Sequence, residues 1–253
     1  MNPPRAVLPE LLDALPAGHP DALRSRRDLR RVHSAMGTRR TLLAALHGLH
    51  PLRQDGDPLR LLELGAGDGT LMLGVARALG AQWAPVELTL LDRLSLVQPS
   101  TIDAFALLGW SARPQVCDAL DWARDVEART QVAAPRRRCD LVLATLFLHH
   151  FEPVALVRLL HAAAAAADAF VACEPHRGRV ALAGSRLVAL LGAGRVTRED
   201  AVTSVRAGFR DLELSDAWRT APGSWMLDEY RAGPFNHCFR ARSTGDRGLH
   251  DVP

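Results

Sequence analysis

The chain has 253 residues, of which 48% are hydrophobic and 23% charged, proportions that fit one globular domain with a packed core and an added segment. Its formal charge of +3 rests entirely on arginine, because the sequence contains no lysine, and this excludes a Walker A phosphate loop and Schiff-base chemistry. No apolar run reaches the roughly 20 residues of a membrane helix, and four cysteines without a CxxC pair suit neither a disulfide scaffold nor a zinc ribbon.

The opening Met1-Asn2-Pro3-Pro4-Arg5 lacks the apolar core of a secretory signal, so a cytoplasmic protein is expected. Asp21–Ser34 and Thr38–Leu49 have amphipathic helical spacing, broken at Met36-Gly37. Together with a turn signal at Gln54-Asp55-Gly56-Asp57-Pro58, they suggest an N-terminal helical extension or lid over 1–56. From Leu59 the pattern alternates. Strands are expected at Arg60–Leu64, Val86–Leu91, Gln115–Cys117, Asp140–Thr145 and Ala169–Cys173. Helical stretches lie between them, at Thr70–Leu79, Thr101–Leu108, Ala119–Glu127 and Pro153–Ala167. Strands apolar on both faces, such as Leu141-Val142-Leu143-Ala144, suit a parallel sheet covered by helices. The expectation is therefore a doubly wound α/β domain over 57–242, with a helical insertion at about 176–195. Helices Val180–Leu191 and Arg198–Ala207 follow, then final strands at Asp211–Leu214 and Asn236–Arg242, and a frayed tail over 243–253. Arg136-Arg137-Arg138 reads as a solvated loop. With only 5% aromatic residues, no nucleic-acid surface is expected.

The segment Leu61-Leu62-Glu63-Leu64-Gly65-Ala66-Gly67-Asp68-Gly69-Thr70 carries the most chemistry. An apolar strand ends in a glycine turn that opens a helix, and such a turn lets a ligand approach main-chain N–H groups. A dinucleotide fingerprint would be G-x-G-x-x-G, but here the third glycine comes one residue early. Asp92 closes the second strand 23 residues after Gly69, near the spacing at which a carboxylate meets ribose hydroxyls. It also reads as a surface residue at a strand end. Asp118, after the third strand, is a candidate helix N-cap.

On these residues the sequence resembles the class I S-adenosylmethionine (SAM) dependent methyltransferases, over roughly Leu59 to Arg242. The resemblance implies a Rossmann-like, doubly wound, seven-stranded sheet, mostly parallel with an antiparallel last strand. It implies SAM as cofactor, with S-adenosylhomocysteine (SAH) as product. Glu63 would steady the loop while Gly65, Ala66, Gly67 and Gly69 meet the amino-acid end. Asp92 with Arg93 would hold the ribose, and Asp118 with Ala119 the adenine. Asp140–His150 resembles the family's fourth-strand segment, placing Thr145 beside both cofactor and acceptor.

His149 and His150 follow that strand, where an acceptor is expected, and an imidazole there could remove a phenolic or hydroxyl proton. They read equally as helix-opening residues. No (Asp/Asn)-Pro-Pro-aromatic segment follows strand four, Cys173 reads as core, and no Asp-Asn pair for a metal-dependent catechol enzyme is present, so no metal is expected. Leu29–Arg40, Cys173–Arg177 and Ala181–Arg186 resemble segments of bacterial methyltransferases that accompany polyketide synthases. That likeness implies secondary metabolism and a small aromatic, phenolic-lipid or polyketide-type acceptor, methylated at oxygen. The insertion reads either as a wall of an apolar pocket with Trp218 and Trp225 or as a helix that simply packs on the sheet. Alternatives are a C- or N-methyltransferase, or a catalytically silent SAM-binding scaffold. A homodimer is among the expected states.

Overall fold

Seven strands form one sheet in the order β3-β2-β1-β4-β5-β7-β6. The computed structural model describes residues 4–47, 49, 57–83, 85–132 and 139–244. The strands are β1 (Leu59–Leu64), β2 (Val86–Asp92), β3 (Trp110–Val116), β4 (Cys139–Thr145), β5 (Ala167–Pro175), β6 (Trp225–Ala232) and β7 (Asn236–Ser243). Pairs among β1 to β5 are parallel, and β7 runs antiparallel to both β5 and β6. The helices are α1 (Leu11–Ala14), α2 (Pro20–Met36), α3 (Thr38–His47), α4 (Thr70–Leu79), α5 (Pro99–Ala106), α6 (Ala119–Val132), α7 (Pro153–Ala166), α8 (Arg179–Arg186), α9 (Arg195–Ala207) and α10 (Glu213–Trp218). The strand order reverses between β1 and β4, which opens a crevice at the carboxyl ends of those strands.

Alternation along each strand sends neighbours to opposite faces. Leu61, Leu88, Leu90, Leu141 and Val171 pack against α3 and α4, with Leu42, Leu46, Met72 and Val75 fully buried. Leu62, Val142, Phe170 and Phe239 face α6, α7 and α10. At about 25 cal/mol per Å² of apolar burial, these two layers supply the dominant force holding the sheet.

Several expected elements differ in the structure. The expected strand Asp211–Leu214 is instead the approach to α10. Asp211 has φ +53°, while Leu214 and Trp218, at helical spacing, are both buried. The Glu229 carboxylate accepts the Leu214 and Ser215 N–H groups at 3.0 and 2.7 Å, capping the helix from β6. That sixth strand, Trp225–Ala232, is a sheet edge whose alternation hides behind Asp228, Glu229 and Arg231. The third strand begins at Trp110 and ends at Val116, so it contains Pro114, which an edge strand tolerates. The single helix expected at Val180–Leu191 breaks into α8 and a 3-10 turn over Val188–Leu191.

That insertion packs on α2, where Val188 and Ala193 meet Val32. Trp218 is elsewhere, 1% exposed among Phe170, Phe239 and Trp225, so the two tryptophans do not wall a pocket with it. Cys173 is buried opposite Cys238 in the β5–β7 ladder and is a free thiol in the core. The Arg136–Arg138 run, the Gln54–Gly56 turn and the tail beyond 244 lie outside the described residues. No helix among the described residues is long and apolar enough to cross a membrane.

Candidate active site

The glycine loop leaves β1 through three left-handed residues, Gly65, Gly67 and Gly69, with φ of +68°, +58° and +74°. Any L side chain is strained there. Ala66 N–H donates to Leu91 O at 3.0 Å, tying the loop to β2. Asp68 accepts from Thr70 N–H at 3.0 Å and from Thr70 Oγ1 at 2.6 Å, and Arg30 of α2 donates to it at 3.3 Å. A Cβ built on Gly67 meets nothing within 4 Å, so open space lies above the centre of the loop. On Gly65 it would lie 2.1 Å from Cδ2 of Phe147, whose ring covers that end.

Asp92 is joined directly to the loop. Its Oδ2 accepts the Gly67 N–H at 2.8 Å and its Oδ1 the Leu94 N–H at 2.9 Å. Each oxygen retains a further lone pair. Arg93 turns away to Asp13 at 2.7 Å. Asp118 is exposed and caps α6, accepting the Leu120 N–H at 2.8 Å, while Ala119 is buried beside it. Near the carboxyl ends of β1 and β4, the buried Thr145 Oγ1 and Glu63 Oε2 have no hydrogen-bond partner among the described residues. Burial, with the nearby carboxylates of Asp92 and Asp68, pushes the Glu63 carboxyl up to about 8.

Beyond β4, Leu146 takes φ +53° and donates its N–H to Cys173 O at 2.8 Å. This bend starts the 3-10 turn Leu148–His150. Glu174, fully buried at the end of β5, fastens that turn. Its Oε1 accepts the N–H groups of Phe147 and Leu148 at 3.0 and 2.9 Å. Its Oε2 accepts the His149 N–H at 3.4 Å and faces His149 Nδ1 at 2.8 Å.

The N-terminal segment closes over this turn as a strap. Arg5 donates to the carbonyls of Ala207, His149 and Phe151 at 2.8, 3.3 and 2.9 Å, and its guanidinium stacks 4.6 Å from the Phe209 ring centre. Asp200 of α9 accepts the Leu11 and Leu12 N–H groups at 2.7 and 3.0 Å. So held, the strap sets Glu10 Oε1 3.5 Å from His149 Nε2 and Asp13 Oδ2 3.3 Å from His150 Nδ1. Burial alone would lower the His149 pKa, but hydrogen bonds and charges from Glu10 and Glu174 outweigh it and raise the ring to about 9. His149 is thus an imidazolium at neutral pH, with a carboxylate at each nitrogen. His150 is more open, its side chain 27% exposed and its ring 4.3 Å from that of His149. His33 of α2 feels both Asp68 and His149, and burial drives it down to about 4, keeping it neutral.

No protein-family model matches the chain, and no curated protein matches it in sequence. Solved structures do resemble it. Magnesium protoporphyrin IX methyltransferase from Synechocystis PCC 6803, with bound SAH, superposes with a TM-score of 0.51 at 14% identity over 86% of each chain. A structure described for the conversion of a disulfide bond into a thioacetal group during echinomycin biosynthesis gives 0.50 at 20% identity over 80% of each chain. The chain has the Rossmann-like fold of class I methyltransferases. A candidate O-methyltransferase from Nostoc punctiforme PCC 73102 gives 0.52 at 13% identity over 81% of this chain, which spans only 55% of that protein.

Within this fold the structure gathers Glu63, Gly65, Ala66, Gly67, Gly69 and Asp92 around one loop, and sets Thr145, His149 and His150 at the end of β4. Glu10, Asp13, His33 and Glu174 join them without having been singled out from sequence. Glu174 had a legible signal, since it is an acidic residue at a strand's carboxyl end, as are Asp92 and Asp118. The strap residues had none, because their side-chain partners lie 80 or more positions away.

Proposed function

We propose that the chain is a SAM-dependent methyltransferase acting on a small aromatic, phenolic or polyketide-type acceptor at oxygen. The observation that carries this reading is the Gly67–Asp92 hydrogen bond beneath open space, at the switch point of this sheet. It joins main-chain donors and a carboxylate in one cradle, which suits a ligand with an amino-acid end and a ribose. The partnerless Thr145 Oγ1 and Glu63 Oε2 add polar capacity at the same edge. Gly65, Ala66, Gly67 and Gly69 would take the amino-acid end above Glu63, Asp92 the ribose with Arg93 at the rim, and Asp118 with Ala119 the adenine. SAM supplies an electrophilic methyl group on a sulfonium.

The chain's own part is orientation and exclusion of water. The helices and strap within 1–56 would cover the transferase body of 57–242, and Thr145, His149 and His150 would face the acceptor. His149, clamped by Glu10 and Glu174, serves here as a fixed cation rather than a free proton acceptor. Incubation with methyl-labelled SAM and a panel of phenols tests the reading. Label should pass to at least one phenol with SAH released in equal amount. Tight SAH binding without transfer to any oxygen, nitrogen or carbon acceptor would instead indicate a silent scaffold.

A further inference from the structure

We propose that Glu10, His149 and His150 form a binding site for a divalent first-row transition ion of the zinc class. One ligand atom from each lies within 4.8 Å of the other two, the one such group of three found among the described residues. The surroundings also match what a metal-ligating histidine requires. Such a ring usually gives its second nitrogen to a carboxylate, which fixes its orientation. Here His149 Nδ1 faces Glu174 at 2.8 Å, and the Asp13 carboxylate lies 3.3 Å from His150 Nδ1.

The Glu174 carboxylate is in turn locked by three main-chain N–H groups, so the His149 ring is positioned before any ion arrives, and the ion takes the place of the Nε2 proton that the metal-free ring holds. Three carboxylates, Glu10, Asp13 and Glu174, surround two imidazoles, with Glu10, Glu174 and His149 in the buried part of the cluster, which favours a concentrated positive charge. Two imidazoles with one carboxylate select zinc, cobalt or a similar ion over magnesium or calcium, which prefer all-oxygen sets. The partly exposed His150 and Asp13 give the ion a way in.

Three protein ligands leave a fourth position for a substrate atom. The cluster is one ring away from the glycine loop, because Phe147 lies against Gly65 and 6.4 Å from the His150 ring. An acceptor oxygen on the ion would lose its proton to solvent on the His150 side, keeping the O–H electron pair. That pair would form the new C–O bond as sulfur takes the C–S pair. This role rests on the methyl-transfer reading; the metal site itself does not.

The test uses the full chain, dialysed against chelator and titrated calorimetrically with Zn²⁺ and Co²⁺. One ion per chain is expected, with Co²⁺ giving visible d–d bands. His150→Ala and Glu10→Gln should each weaken binding at least tenfold. Glu174→Gln, which removes the carboxylate behind His149 Nδ1 while keeping an oxygen for the turn's N–H groups, should weaken it about 10- to 100-fold. Circular dichroism checks each fold. SAH titration of the same samples separates failure of the metal site from failure of the methyltransferase reading. If the parent chain binds neither ion at one per chain, or if His150→Ala and Glu10→Gln bind both ions as it does, the proposal is overturned.

Discussion

Glu63→Gln should change how stability depends on pH. Glu63 is 3% exposed, its Oε2 has no partner among the described residues, and Asp92 and Asp68 stand near it. These effects carry it from the ordinary 4.5 to about 8 in the folded chain. Below about pH 4.5 both folded and unfolded chains hold the proton, and the group is neutral to stability. Between these values the unfolded chain releases it while the folded chain retains it, so stability is lost as pH rises through 8. At about 1.4 kcal/mol per pH unit, the loss is about 3–5 kcal/mol, close to the scale of a whole domain's stability. The amide that replaces the carboxyl cannot ionise. Urea unfolding of parent and variant at pH 4.5, 6 and 8 isolates this group, since other titrations cancel in the difference. The variant should gain about 3–5 kcal/mol on the parent between the two extremes. Parallel pH profiles would refute the reasoning and show Glu63 already ionised in the folded chain.

Other substitutions probe the remaining parts. Glu174→Ala strands the N–H groups of Phe147, Leu148 and His149 and should cost about 3 kcal/mol or more in urea unfolding; a loss below 1 kcal/mol would mean the turn holds without it. Asp118→Ala should cost about 1 kcal/mol as a lost cap and weaken SAH about tenfold. Unchanged affinity of the folded fraction would leave Asp118 a cap only. Gly67→Ala, at φ +58° with no clash, should cost about 1–2 kcal/mol. Gly65→Ala should cost more, because the Phe147 ring must move, and equal losses would contradict that packing.

The sheet's centre was legible because period and punctuation agreed there. β1 with its glycine turn, helix Thr70–Leu79 and the doubly apolar β4 appear where the sequence places them, to within a residue. The edges were not. Asp211–Leu214 offered four residues, too few to separate a strand from a helix opening, and β6 carries charges suited to an edge. β3 was read late because Pro114 argues against a strand until its edge position is known. In the site, the loop and Asp92 could be read locally. The state of His149 could not, because its protonation depends on Glu10 and Glu174, each brought from a distant part of the chain.

Calorimetric titration of the chain with SAH, beside Asp92→Ala, tests the central claim most directly. One SAH per chain is predicted, and loss of the charge-assisted ribose contact should cost about 1.5–3 kcal/mol, or about ten- to a hundredfold in affinity. No binding by the parent chain, or equal binding by Asp92→Ala, would contradict it.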